Sequence, residues 1–125
     1  MVTDADPALA TVLAWHAALN AGDLERLLAL SSQDVEVGGP RGSTSGTQAL
    51  RDWAVRAGIQ LTPGRHVSVG PGRLVVEQAA RWRAESGGLT EPQTVASVFG
   101  VVDGRVTSVV RYPDLEAALE AARSR

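Results

Sequence analysis

The octapeptide Ala17-Ala18-Leu19-Asn20-Ala21-Gly22-Asp23-Leu24 closes one helix and opens another within three residues. Gly22 can take the left-handed conformation that ends a helix, and Asp23 offers a carboxylate to the first free N–H groups of the next. Helices joined so tightly must fold back on each other as a hairpin. Upstream, Asp6-Pro7 marks the start of the first helix: an N-cap acceptor, then a proline whose missing N–H costs nothing at the first helical position. Leu9, Val12, Leu13, Trp15, His16 and Leu19 spread apolar surface around much of its circumference, which predicts a helix wedged between layers. The second helix runs to Leu30.

Beyond the hairpin the period changes. Asp34-Val35-Glu36-Val37 alternates like a short strand, and Gly38 to Gly46 reads as a loop. Ser45-Gly46-Thr47-Gln48 fits a capping box, and Leu50, Trp53, Ala54 and Ala57 form one buried stripe of a third helix that Gly58 ends. Four strand-like segments follow: His66 to Val69, Leu74 to Ala84, Thr94 to Val102 and Arg105 to Tyr112. Pro71-Gly72, Ser86-Gly87-Gly88 and Asp103-Gly104 separate them, which implies antiparallel hairpins. Asp114 caps a last helix with Leu115, Ala118, Leu119 and Ala122 on one face. Helices first and a meander afterwards predict an α+β fold whose sheet buries one face under the helices.

At 125 residues the chain reads as a single domain, residues 1–125, because halves would be too small to bury a core. A net charge of -2 with scattered arginines argues against a nucleic-acid partner, since phosphate binding needs clustered positive charge. There is no cysteine, all 12 basic residues are arginine, and there are only two histidines. Disulfides, thiolate nucleophiles, Schiff-base lysines and histidine-rich metal sites are thereby excluded. No metal and no cofactor are expected. No apolar run approaches the roughly 20 residues that cross a bilayer, and the acidic start lacks the features of a secretory signal. The expectation is a soluble cytoplasmic protein with no membrane partner.

The opening octapeptide, taken with Leu27-Leu28-Ala29-Leu30, Asp34 and Ser45-Gly46-Thr47-Gln48-Ala49-Leu50-Arg51, resembles ketosteroid isomerase and its SnoaL-like relatives in the nuclear transport factor two-like superfamily. The likeness covers nearly the whole chain. Gly104-Arg105-Val106 and Tyr112-Pro113-Asp114-Leu115 are similar to the endings of many SnoaL-like proteins. The resemblance implies a cone-shaped roll: a curved antiparallel sheet, three N-terminal helices on its concave face, and a short C-terminal helix. It also implies a homodimer. This superfamily serves isomerases, cyclases, epoxide hydrolases and non-catalytic binders, so fold does not choose the function. Ketosteroid isomerase needs a carboxylate base, a tyrosine and a protonated carboxylic acid. The corresponding positions here carry Gly39, Trp15 and Val98, so that activity is not expected. The aspartate of SnoaL-type cyclases and the Asp-Arg-Asp array of limonene epoxide hydrolase-like enzymes have no clear counterparts either.

What remains is a pocket. Trp15, Trp53 and Trp82 fall on the first helix, the third helix and a central strand, and either wall a ligand site or fill core volume. Val37, Val98 and Val109 are expected to line the same concave surface. Arg111 shares strand parity with Val109; it either supplies a positive charge at the mouth or forms a salt bridge. Gln78, in parity with Trp82, is either a polar anchor or solvent-facing, and Tyr112 is either a ligand donor or a structural corner. His16 reads as a packed, hydrogen-bonded helix residue before a general base, and His66 as a surface residue on an edge strand. Arg81 and Arg83 alternate with Trp82 as an outer face that could meet Glu77 or Glu85 across a twofold axis. The leading expectation is a binder of a small, mostly apolar or carbonyl-bearing molecule. An isomerase, cyclase or hydrolase using Arg111, Tyr112 or His16 is one alternative; a non-catalytic assembly module is the other.

Overall fold

Helix α1 (Pro7–Ala21) ends at Gly22, whose φ of 72° is left-handed, and Asp23 then accepts from Arg26 N at 3.1 Å to open α2 (Leu24–Ala29). The helical hairpin therefore forms as its octapeptide predicts. The remaining elements are β1 (Ser31–Gly39), β2 (Gly42–Ser45), α3 (Thr47–Ala57), β3 (Gln60–Gly70), β4 (Arg73–Arg81), β5 (Gln93–Val102), β6 (Arg105–Tyr112) and α4 (Leu115–Arg123). The computed structural model describes residues 7–39, 42–84 and 87–123. The expected cap at Asp6, the turn residue Ser86, the acid Glu85 and the side chain of Ala57 lie outside the described set. Gly58 ends α3 in the left-handed conformation, and Asp114 caps α4 by accepting from Ala117 N at 2.8 Å.

Several elements differ from expectation. Part of the glycine- and serine-rich stretch read as a loop is strand β2, which pairs antiparallel with β1, placing Ser45 opposite Glu36. Ser45 is consequently spent on the sheet, no capping box forms, and Gln48 donates instead to Asp52 at 2.8 Å. Strand β3 begins at Gln60, before the expected His66, and carries His66 exposed on the sheet edge. β4 stops at Arg81, so Trp82 lies just past the strand. It is held there by paired bonds with Thr90, one from Trp82 N to the threonine hydroxyl at 3.0 Å and one from Thr90 N to the Trp82 carbonyl at 2.8 Å.

The sheet order is β2-β1-β6-β5-β4-β3, and one pair departs from the antiparallel expectation: β1 and β6 run parallel, with Val37 opposite Val109. A parallel pair needs a long crossover. Here everything from β2 to β5 supplies it. Alternation along the strands sends one set of side chains inward and the other outward. Leu74, Val76, Ala80, Val95, Phe99, Val106 and Val109 join α1–α3 in the inner core. Val75, Ala96 and Val98 pack outward against Ala118 and Ala122 of α4.

Asn20, inside the octapeptide, fixes the helical hairpin to the sheet. Its amide nitrogen donates to the Leu61 carbonyl at 2.8 Å, and its oxygen accepts from Leu61 N at 2.9 Å. The side chain thus completes the backbone pairing of β3 on the edge of the sheet. Each bond contributes on the order of 1 kcal/mol. Asn20→Ala is expected to lower unfolding free energy by about 2 kcal/mol in urea titrations. Asn20→Asp should be no better near neutral pH, because a carboxylate facing the Leu61 carbonyl has no hydrogen to donate.

Candidate functional site

An open cavity of about 500 Å³ lies between α3 and the inner face of the sheet. Its floor is the Val37–Val109 pair of β1 and β6. Trp53 of α3 and Trp82 beyond β4 give it flat aromatic walls, and Leu61 of β3 adds an aliphatic one. Near Gly38, Gly39 and Gly42 the described wall is bare backbone. The polar groups are few: Thr44, Ser97 and Arg111.

Arg111 is the charged group of this lining. Its guanidinium carbon stands 5.6 Å from the centroid of the Trp82 ring, a cation–π distance, and the side chain is half-buried. Among the described residues no carboxylate is paired with it, whereas Arg65 and Glu77 on β3 and β4 form an ion pair with N–O contacts of 2.9 and 3.0 Å. Glu77, expected at a twofold axis, is therefore occupied within its own chain. Among the described residues no Asp, Glu or His lines the cavity, and no cluster of three or more such residues could hold a metal ion. Glu36, the nearest strand carboxylate to Gly39, opens on the other face into a groove shared with Val110 and Tyr112.

Behind the cavity lies a polar chain. His16, buried on α1, has Nδ1 2.7 Å from the Val12 carbonyl and Nε2 2.8 Å from the Gln78 amide nitrogen. Gln78 Oε1 accepts in turn from the Ser97 hydroxyl at 2.8 Å, so the chain runs from the helix to the cavity wall. Burial pushes the His16 imidazole below its ordinary value of 6.5, against a smaller opposing effect of the Val12 hydrogen bond.

Of the residues singled out in the sequence, the structure brings Val37, Trp53, Trp82, Val109 and Arg111 together around this cavity. Trp15 is not a wall. It is fully buried behind Trp53, stacked on it at 6.2 Å between ring centroids, with its indole N–H donating to Ser31 at 3.1 Å. Gln78 is buried beneath α1 and reaches the cavity only through Ser97. Val98 and Tyr112 sit on the outer face with α4.

The displacement of Val98 has a local cause. Register continued from the Asp103-Gly104 turn would set Val98 beside Val109, but a bulge at Thr107 shifts the pairing so that Phe99 meets Val109 and Val98 meets Val110. Gly100 makes room for the bulge, since a Cβ there would come within 2.9 Å of Thr107 Oγ1 and 2.8 Å of Ser108 Oγ. An isolated glycine inside a strand pattern is the available sequence signal for such a bulge. Counted through it, Ser97 pairs with Arg111 on the inner face, the polar wall residue that the sequence reading missed.

The family model described as the SnoaL-like domain matches residues 12–109. No curated protein sequence matches the chain. Among solved structures, TerC co-crystallised with polyporic acid superposes with a TM-score of 0.74 at 22% identity, covering 94% of this chain and 98% of TerC. Bal32a, from a soil-derived mobile gene cassette, gives a TM-score of 0.75 at 21% identity over 87% of this chain and 90% of its own. A candidate polyketide cyclase from Xanthomonas campestris pv. campestris gives 0.73 at 22% identity, with coverage of 93% and 96%.

Because His16 is held neutral when folded and is free to take a proton when unfolded, the unfolded state binds more protons below the ordinary imidazole value of 6.5. Stability is therefore highest above that value and falls as pH drops through it. Urea unfolding followed downward from about pH 7.5 should show stability falling once the pH passes below the ordinary imidazole value, with a slope from this group of no more than about 1.4 kcal/mol per pH unit. Replacing His16 with glutamine should remove this component of the slope.

Proposed function

Since the chain belongs to the SnoaL-like domain family, we propose that it binds a small, mostly apolar molecule with an aromatic body and a carbonyl or anionic oxygen. The ring system lies between Trp53 and Trp82 over the valine floor, and the oxygen meets Arg111. The observation that carries this reading is the Arg111 guanidinium, poised over Trp82 beside an apolar cavity with no carboxylate partner among the described residues. A cation so placed is matched by a ligand acceptor, and a guanidinium recognises a planar oxygen pair with two parallel bonds. The cavity volume of about 500 Å³ falls in the range of small-molecule sites, and its mixture of apolar walls with few polar groups is typical of them.

The described lining supplies a cation, two hydroxyls and flat apolar surfaces, which is chemistry for holding and orienting a ligand. Two structural relatives suggest its chemical range: TerC was crystallised with polyporic acid, and the Xanthomonas protein is a candidate polyketide cyclase. The proposal extends to a homodimer formed through the outer sheet face, where Val67 stands 36% exposed. Sedimentation equilibrium reading a monomer at micromolar concentration would remove that extension.

Calorimetric titration with 2-naphthoate should give saturable binding that Arg111→Leu weakens by about tenfold or more, the scale of a charge-assisted hydrogen bond. Trp82→Ala should weaken it as well, because the aromatic wall and the surface beneath the guanidinium disappear together. No binding by naphthoate or by uncharged aromatic ketones, or an affinity indifferent to Arg111, would sink the proposal.

A further inference from the structure

The polar chain behind the cavity fixes the direction of every hydrogen bond in it. Nδ1 of His16 faces the Val12 carbonyl, which can only accept, so Nδ1 carries the proton. In a neutral imidazole Nε2 is then an acceptor, and Gln78 must turn its NH₂ toward it. That leaves Gln78 Oε1 for Ser97, whose single hydroxyl hydrogen is thereby committed inward. The opposite orientation of the Gln78 amide would set two acceptors against each other at 2.8 Å. Ser97 thus has lone pairs, and no hydrogen, left for the cavity.

We infer that Ser97 is a specificity-determining residue that accepts a hydrogen bond from the ligand, so that the bound class carries a hydroxyl or N–H donor in addition to the oxygen held by Arg111. The inference rests on the cavity reading above and deepens it. Ser97 and Arg111 are register partners on β5 and β6, with Cβ atoms about 5 Å apart on one face. The arginine side chain then reaches away over Trp82. The ligand's donor consequently sits deep on the sheet while its acceptor sits farther out, on the Trp82 side. Hydroxylated aromatic acids and hydroxyaryl ketones have this polarity. Their methyl ethers do not, because an ether oxygen at Ser97 would face lone pairs with lone pairs.

Two measurements decide it. Nitrogen-15 NMR of the unmodified protein reads the tautomer directly, with His16 distinguished from His66 by comparison with His66→Gln. A proton on Nδ1 and a bare Nε2 are expected; a proton on Nε2 would flip Gln78, free the Ser97 hydrogen for the cavity and overturn the inference. Calorimetry with 2-naphthoate, its 5-, 6- and 7-hydroxy derivatives and the matching methoxy ethers reads the consequence. For at least one pair the hydroxy compound should bind roughly five- to tenfold tighter than its ether, the scale of one neutral hydrogen bond. Ser97→Ala should bring that ratio to about one while 2-naphthoate itself still binds, and Ser97→Thr should restore it. Equal binding of every hydroxy and methoxy pair, with naphthoate still sensitive to Arg111→Leu, would overturn the role of Ser97 and leave the cavity reading standing. If no naphthoate binds, the cavity reading falls first and takes this inference with it.

Discussion

The indole of Trp15 is the point where the helical layer and the sheet are joined. It is fully buried, stacks on Trp53 of α3, and meets the edge of Phe99 on β5 at 5.4 Å between ring centroids. Its N–H donates to Ser31 at the start of β1, and Ser31 donates to the Leu27 carbonyl at the end of α2. Five elements therefore meet around one side chain, with its polar atom satisfied. An indole left without that partner in an apolar core would cost about 1–3 kcal/mol, so Ser31 is as much a part of the junction as the ring. Trp15 lies behind Trp53 of α3, and the cavity lies in front of it, over the Val37–Val109 pair.

Ser97 owes its place in the cavity wall to the polar chain behind it. α1 reaches the sheet at its middle, where His16 and Gln78 are buried together and can be tolerated only as a satisfied network. Ser97, itself buried, ends that network at the cavity wall. Apolar walls left against water forfeit roughly 25 cal/mol per Å² of burial, part of which the proposed aromatic ligand between Trp53 and Trp82 would recover. In the proposed complex its orientation would be set by Ser97 and Arg111, register partners on adjacent strands.

Much of this was legible in the sequence, for reasons that are local. Gly22, Asp23, Gly58 and Asp114 act within one turn of themselves, so the helix ends follow from the residue types alone. Strand parity placed Val109 and Arg111 on one face because both lie beyond the bulge on the same strand. Val98 and Ser97 exchanged faces because the bulge acts across a strand pair, and Gly100 alone does not fix on which strand the extra residue falls. Trp15 and Trp53 share helix faces with other apolar residues, and periodicity does not tell a wall from a core when the ring is large enough to be either. The parallel β1–β6 pairing lay beyond local signals altogether, since its partners are about 70 residues apart.

That pairing has a consequence in time. β6 lies between β1 and β5, so the first hairpin and the later meander share no other seam in the sheet. A ribosome producing this chain releases the two parts in sequence, and neither builds the cavity alone: the floor needs Val109 beside Val37, and the cation comes from Arg111. Contacts between chain segments so distant close slowly, and the unpaired edge of β1 stays open to the wrong partners meanwhile. The polar hydroxyls of Ser43, Thr44 and Ser45 on β2, added to the far edge of β1, leave the side toward β6 as the place for the last strand to dock. The cavity is thus complete only once β6 has docked, rather than being built up strand by strand as synthesis proceeds.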